Sequence, residues 1–310
     1  MALWNHSTIT EFILLGLSAD PHIQALLFVL FLVIYLLTLM GNLTMLLVIR
    51  TDSHHHTPMY SFLSHLSFMD LCYSSVTVPK LLENLLSQKE TISVVGCLSQ
   101  VFFLFVTGGT EGCLLSVMAY DRYVTICHSL HYRQIMTNWL CNSLVCGSWG
   151  LSFLDAFINF LQAISLDFCE DQSITHYSCE LPSLFPLSCS DISTSFTVLL
   201  CSSLVYGFGT YLLIIFSYAL IAFTILSISS SSGRGKAFST CSSHLTAILL
   251  FYCSGFLHSL MPTSGSTMEL IVSIQYSVVT PLLNPLIYSL RNNEVKAALR
   301  RTFRKYLQYR

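Results

Sequence analysis

Apolar residues run through this chain in long blocks separated by short polar stretches. The blocks fall near Ile23 to Ile49, Pro58 to Leu86, Val94 to Cys127, Leu140 to Leu161, Ser195 to Ile228, Ala237 to Leu260 and Leu270 to Leu290. About 20 apolar residues wound as an α-helix match the ~30 Å hydrocarbon core of a bilayer. Lipid offers backbone amides no partner, so runs of this length and continuity are helices and not barrel strands. The pattern predicts an all-α membrane protein, a seven-transmembrane helix bundle. Beyond Arg291 the spacing changes, and Val295, Leu299, Phe303 and Leu307 stand four apart with bases between them. That spacing predicts a short amphipathic C-terminal helix on the anionic inner leaflet, with a solvated basic tail as the alternative. The chain thus divides into an extracellular N-terminus over 1–22, a seven-helix body over 23–291 and a cytoplasmic helix and tail over 292–310.

Composition agrees with the pattern. The 310 residues are 53% hydrophobic and 10% charged, with a mean hydropathy of +0.65. A soluble domain carries about 25% charged residues, so most of this surface must face lipid. The net charge of −2 gives no sign of nucleic-acid binding. Met1 to Asp20 lacks the basic start of a cleavable signal, which leaves targeting to the first hydrophobic helix. Asn5-His6-Ser7 is a glycosylation sequon, usable if this end lies outside the cytosol. Asn42-Leu43-Thr44 has the same form but sits within a span.

Charge distribution sets the orientation. Of the 14 Lys and Arg residues, only Lys80 and Lys89 fall on the side shared with the N-terminus. Arg50, Arg122, Arg133, Arg234, Lys236, Arg291 and the bases of the tail fall on the other. Positive residues stay in the cytosol, so the N-terminus is outside and the C-terminus inside. The expected location is the plasma membrane, crossed several times.

Four of the 12 cysteines, Cys97, Cys169, Cys179 and Cys189, lie on the outer side, where two disulfides are expected. Zinc is the alternative, but the spacing fits no zinc signature. Within the spans, Asn42, Asp70, Glu111, Asn284 and the Asp121-Arg122 pair are costly unless paired or hydrated. Asp70 and Glu111 cannot both stay ionised near each other in low dielectric without a cation or proton between them. A sodium-binding or proton-linked cluster at this pair is the expectation, set against unrelated hydrogen bonds, and no cofactor besides such a sodium ion is expected. His54, His55 and His56 read as a solvated loop, not as a metal site.

These residues carry a resemblance. Asp121-Arg122-Tyr123 ending the third block, Trp149 in the fourth and Asn284-Pro285-Leu286-Ile287-Tyr288 in the seventh resemble the rhodopsin-like G-protein-coupled receptors. Longer strings narrow it: Pro58-Met59-Tyr60, MAYDRYVTICHSLHY from Met118 to Tyr132, Ser217-Tyr218, KAFSTCSSHL from Lys236 and PLLNPLIYSLRN from Pro281 resemble the olfactory receptor family. The resemblance covers nearly the whole chain. It implies an odorant receptor and no enzyme: a small volatile ligand in the outer half of the bundle opens helix six and activates a stimulatory G protein, raising cyclic AMP. It pairs Cys97 with Cys179 and Cys169 with Cys189. It makes Arg122 a latch held at rest by Asp121 and by polar groups on helix six. Tyr123, Tyr218, His244, Asn284, Pro285 and Tyr288 join it as the switch set, although His244 also reads as a satisfied buried histidine. Departures include Ser129 where the family usually has proline and Thr125 where alanine is usual. They bear on coupling more than on fold.

Counting outward from these anchors gives an expected ligand site. It comprises Leu104, Phe105, Gly108 and Gly109 on helix three, Ser202, Ser203 and Tyr206 on helix five, Tyr252, Gly255, Phe256 and Ser259 on helix six, and Ile274 and Ser277 on helix seven. A mostly apolar lining with scattered hydroxyls suits a small hydrophobic molecule fixed by one or two hydrogen bonds. The paired glycines leave room or allow close helix packing. Asp155, mid-span in helix four, is read first as the partner of a neighbouring polar side chain. If it faces the cavity, an amine becomes a conceivable ligand. A transporter would show internal repeats, and an intramembrane enzyme a nucleophile with its base. The sequence has neither.

Overall fold

A computed structural model describes residues 10–18, 20–51, 57–87, 90–169, 172–228, 230–260, 266–291, 295–297 and 299–301. Asn5, His54 to His56, Lys89, Phe303 and Leu307 lie outside them, as does the side chain of Ser259. Seven long helices dominate: α1 (Pro21–Thr51), α2 (Pro58–Ser87), α3 (Val94–Cys127), α4 (Asn138–Ile164), α5 (Ser193–Ser227), α6 (Ser231–Leu260) and α7. The last is built in three pieces, Thr267–Ile274, Gln275–Val279 and Thr280–Arg291. By length and composition five of these are apolar enough to cross a membrane, and a sixth if the bent halves Ser231–Ser239 and Cys241–Leu257 of α6 form one span. The apolar side chains exposed along them, Leu26, Val29, Leu213, Phe216 and Phe223 among others, suit lipid and not water.

Local signals set several helix ends. Ser93 caps α3 by accepting from the amide of Gly96, and Thr137 caps α4 by accepting from that of Leu140. The long α3 is the bundle's axis, packed against α2, α4, α5 and α6. Its buried Leu114, Leu115 and Met118 meet Phe62, Leu63 and Leu66 of α2 and Ile248 of α6 in the largest core cluster.

Two helices depart from α geometry. Ser203–Gly209 within α5 and Gln275–Val279 within α7 are π-helical. Pro285 breaks the hydrogen bonding of α7 in another way. It brings no amide hydrogen to the carbonyl of Pro281, and the side chain of Asn42 on α1 donates to that carbonyl instead, at 3.0 Å. Gly41, next to Asn42, allows this approach, since a Cβ there would stand 3.0 Å from the Pro285 ring.

A small sheet closes the disulfide-bearing end. Strand β1 (Glu11–Leu14) pairs antiparallel with β2 (Thr91–Ser93) and parallel with β3 (Ser173–Ile174). It buries Phe12 and Leu14 completely. No hydrophobic block announced it.

Candidate ligand cavity and cytoplasmic latch

A cavity of about 450 Å³ opens between α3, α4, α5, α6 and α7, under the loop that joins α4 to α5. That loop is fastened by two disulfides. Cys179 bonds to Cys97 in the first turn of α3, and Cys169 to Cys189 within the loop, with Cα atoms 5.2 and 5.6 Å apart. Gln100 adds a polar strut: its amide donates to the Val76 carbonyl of α2 and its oxygen accepts from the Cys179 amide. Glu180, Leu181 and Pro182 are thereby held over the cavity as its roof.

The cavity brings together Leu104, Phe105, Gly108, Gly109, Ser202, Ser203, Tyr206, Tyr252, Gly255 and Phe256. The two glycines do different things. A Cβ at Gly108 would stand 2.9 Å from the Tyr276 hydroxyl, so this glycine admits a ring from α7. At Gly109 it would stand 3.0 Å from Ser152, so that glycine lets α3 close on α4.

Ile274 and Ser277 do not line the cavity. Ile274 packs with Phe31, Val78 and Tyr177, and Ser277 shares a 2.6 Å hydrogen bond with the Tyr177 hydroxyl, which also meets Ser273 at 2.9 Å. Counting at 3.6 residues per turn misplaced them, because the π segment of α7 changes the helix phase and turns Tyr276 inward. The same cause puts Leu204, Gly207 and Phe208 of α5 on the wall. Burial pushes the Tyr177 phenol well above its ordinary pKa, so it stays a protonated donor.

Asp155 belongs to both of the alternatives set out for it. It lines the cavity, and its Oδ1 accepts from Ser202 at 2.6 Å and from Asn159 at 3.3 Å. Ser203, in contrast, turns back to donate to the Leu199 carbonyl, and Tyr252 pairs with Thr210 at 2.7 Å.

Deeper in the bundle, the Asn284 amide donates to both oxygens of Asp70, at 3.2 Å each, and to Glu111 at 3.3 Å. Three segments distant in sequence thus meet at one point. The buried Oδ1 of Asn284 and Oγ of Ser74, one turn from Asp70, have no partner among the described residues. The two carboxylates, Asn284 Oδ1 and Ser74 Oγ are oxygen donors of the kind that a hard cation takes. Among the described residues no group of three or more His, Cys, Asp or Glu is arranged to hold a metal.

At the opposite end, Arg122 donates to Asp121 at 2.9 Å, and the other oxygen of Asp121 accepts from Tyr132 at 2.7 Å. Burial and the Asp121 carboxylate raise the Tyr132 pKa well above the tyrosine range, which keeps it a donor. Tyr123 instead shares a bond with His128. The expected bond from Arg122 to a polar group of α6 is absent among the described residues. His244 of α6 meets Tyr218 of α5 at 2.9 Å instead, and Arg122 Nε and the Tyr288 hydroxyl are buried without a partner there.

A helix bundle with a roofed cavity at one end and an Asp-Arg-Tyr latch at the other defines a seven-transmembrane G-protein-coupled receptor. The model of the olfactory receptor family matches residues 31–306. The chain is 69% identical over 296 residues to olfactory receptor 8S1 of Homo sapiens, covering 96% of this chain and 82% of that protein. It is 48% identical to olfactory receptor 7A40 of Mus musculus, covering 98% and 99%, and 48% to olfactory receptor 7C1 of Homo sapiens, covering 97% and 95%. The chain belongs to the olfactory receptor family and is a multi-pass plasma-membrane receptor for odorants that couples to G proteins, not an enzyme.

Proposed function

We propose that a small, mostly hydrophobic volatile binds in the cavity under the disulfide-fastened loop, swings the inner end of α6 outward and activates a stimulatory G protein, raising cyclic AMP. The observation that carries this reading is that α6 serves both ends. Tyr252 lines the cavity while His244, eight residues earlier and about 12 Å along the helix, is bonded to Tyr218 beside Arg122. A ligand that displaces α6 strains that bond, and Arg122, tied among the described residues to Asp121 alone, is then free to meet a partner. The N-terminus faces outward in this reading, and the basic tail lies against the inner leaflet.

The test is a volatile-compound screen reading cyclic AMP in cells that express the chain, with Arg122→Ala as control. At least one volatile raises cyclic AMP in wild type and none does in the variant. Equal responses in the two would sink the reading.

We further propose that sodium binds at Asp70, Glu111 and Asn284 and favours the resting state. Two carboxylates sharing one amide donor lack the positive charge that a cation would supply. Sodium titrated against the odorant response shifts the wild-type curve to higher odorant concentration and leaves Asp70→Asn unmoved. Identical sodium dependence in both rules the site out.

A further inference from the structure

We infer that the odorants of this receptor are amines whose protonated nitrogen bonds to Asp155; this rests on the cavity being the odorant site. Both hydrogen bonds that the Asp155 carboxylate accepts from described residues, from Ser202 and Asn159, converge on Oδ1. Its Oδ2 accepts from no described residue, although Asp155 lines the cavity. Among the described residues the lining holds no Lys, Arg or His. Both donors to Asp155 are uncharged, and no described side chain supplies a cation to balance the carboxylate inside the bundle. A ligand ammonium would do so, donating to Oδ2 while Ser202 keeps Oδ1.

The rest of the wall selects the body of the molecule. Phe105, Tyr206 and Phe256 give it apolar and aromatic surface, on which an alkyl or aryl group packs and an ammonium is held by ring faces. A carboxylic acid of the same skeleton places a second negative charge beside Asp155 and is repelled. An alcohol donates one uncharged bond and falls between.

The test measures thermal stabilisation of the full chain in lipid nanodiscs, which needs no G protein. The probes are hexylamine, heptylamine and cyclohexylmethylamine, each with its matching alcohol and carboxylic acid. The amines stabilise the receptor and the acids do not. Asp155→Asn raises the amine concentration for half the effect by about tenfold to a hundredfold, the worth of a charge-assisted bond, and moves the alcohols by less than about threefold. The N-acetyl derivatives of the same amines, tested on wild type, lose the charge without any change of protein. They require a comparably higher concentration, so the outcome does not depend on the variant folding. Stabilisation by alcohols or acids but not amines overturns the inference and leaves the cavity as the odorant site. An amine response that neither Asp155→Asn nor acetylation weakens overturns it too. No stabilisation by any class removes both the inference and the reading it rests on.

Discussion

Pro285 leaves a carbonyl without its helical donor, and a single side chain 239 positions away supplies one. The bond from Asn42 to Pro281 is buried, so losing it strands an acceptor where no water replaces it. Asn42→Leu should lower the midpoint of thermal unfolding in nanodiscs, with a cost of about 1 kcal/mol, the upper range for interhelical bonds in membranes. The decisive measurement is a double-mutant cycle. Pro285→Ala restores an amide hydrogen to the Pro281 carbonyl, so Asn42→Leu should cost much less in that background. Equal costs in both would mean that Asn42 stabilises α1 by some other contact. The sequence marked Asn42 as a costly polar residue within a span and, through the resemblance, Pro285 as a member of the switch set. It did not show that they explain each other, since pairing across 239 residues leaves no local trace. Asp70, Glu111 and Asn284 differ in this respect. Each is a costly polar residue within a span, and the need for a donor, a proton or a cation is visible without coordinates.

At the scale of elements, helix existence was legible and helix phase was not. The α3 boundaries follow directly from the apolar run and its Ser93 cap. The π segments have no such signal, yet they decide which side chains reach the ligand. Ser203–Gly209 supplies five residues of the cavity wall. One residue more per turn than the α count allows is what rotates them into place. Deleting Gly207, whose Cβ position has nothing within 4 Å, should convert the segment to α-helix at little steric cost. With Tyr218 anchored on His244, the stretch from Ser193 to Tyr206 then turns by about 100°, carrying Ser202 away from Asp155. The odorant response should disappear while surface expression, read from an N-terminal tag, persists. A response within about threefold of wild type would show that the π segment does not set the lining. Strand β1 escaped notice for a different reason. Four residues give too few alternations to stand out, and its partners lie some 80 and 160 positions downstream.

The molecule as a whole is asymmetric along its long axis, and two independent features point the same way. One end carries both disulfides, the sheet and the roofed cavity. The other carries the Asp121-Arg122 pair, and among the described residues Arg50, Arg133 and Arg234 stand at the helix ends that the sequence puts on that side. Disulfides persist where the compartment oxidises, and Lys and Arg stay where the cytosol is, so both rules support the orientation we propose. Neither rule uses the other's residues, which is why their agreement carries weight. The prediction is that Asn5 bears an N-glycan. Treatment with a glycosidase should increase the electrophoretic mobility of the wild-type chain and leave Asn5→Gln unmoved, because Asn42-Leu43-Thr44 lies inside α1 beyond the transferase's reach. An antibody to an epitope added after Arg310 should stain cells only once they are permeabilised. A tail stained on intact cells would invert the bundle, placing Arg122 outside and the disulfides in a reducing compartment. The cavity would then open to the cytosol, and a volatile arriving from outside would have to cross the membrane before reaching Asp155.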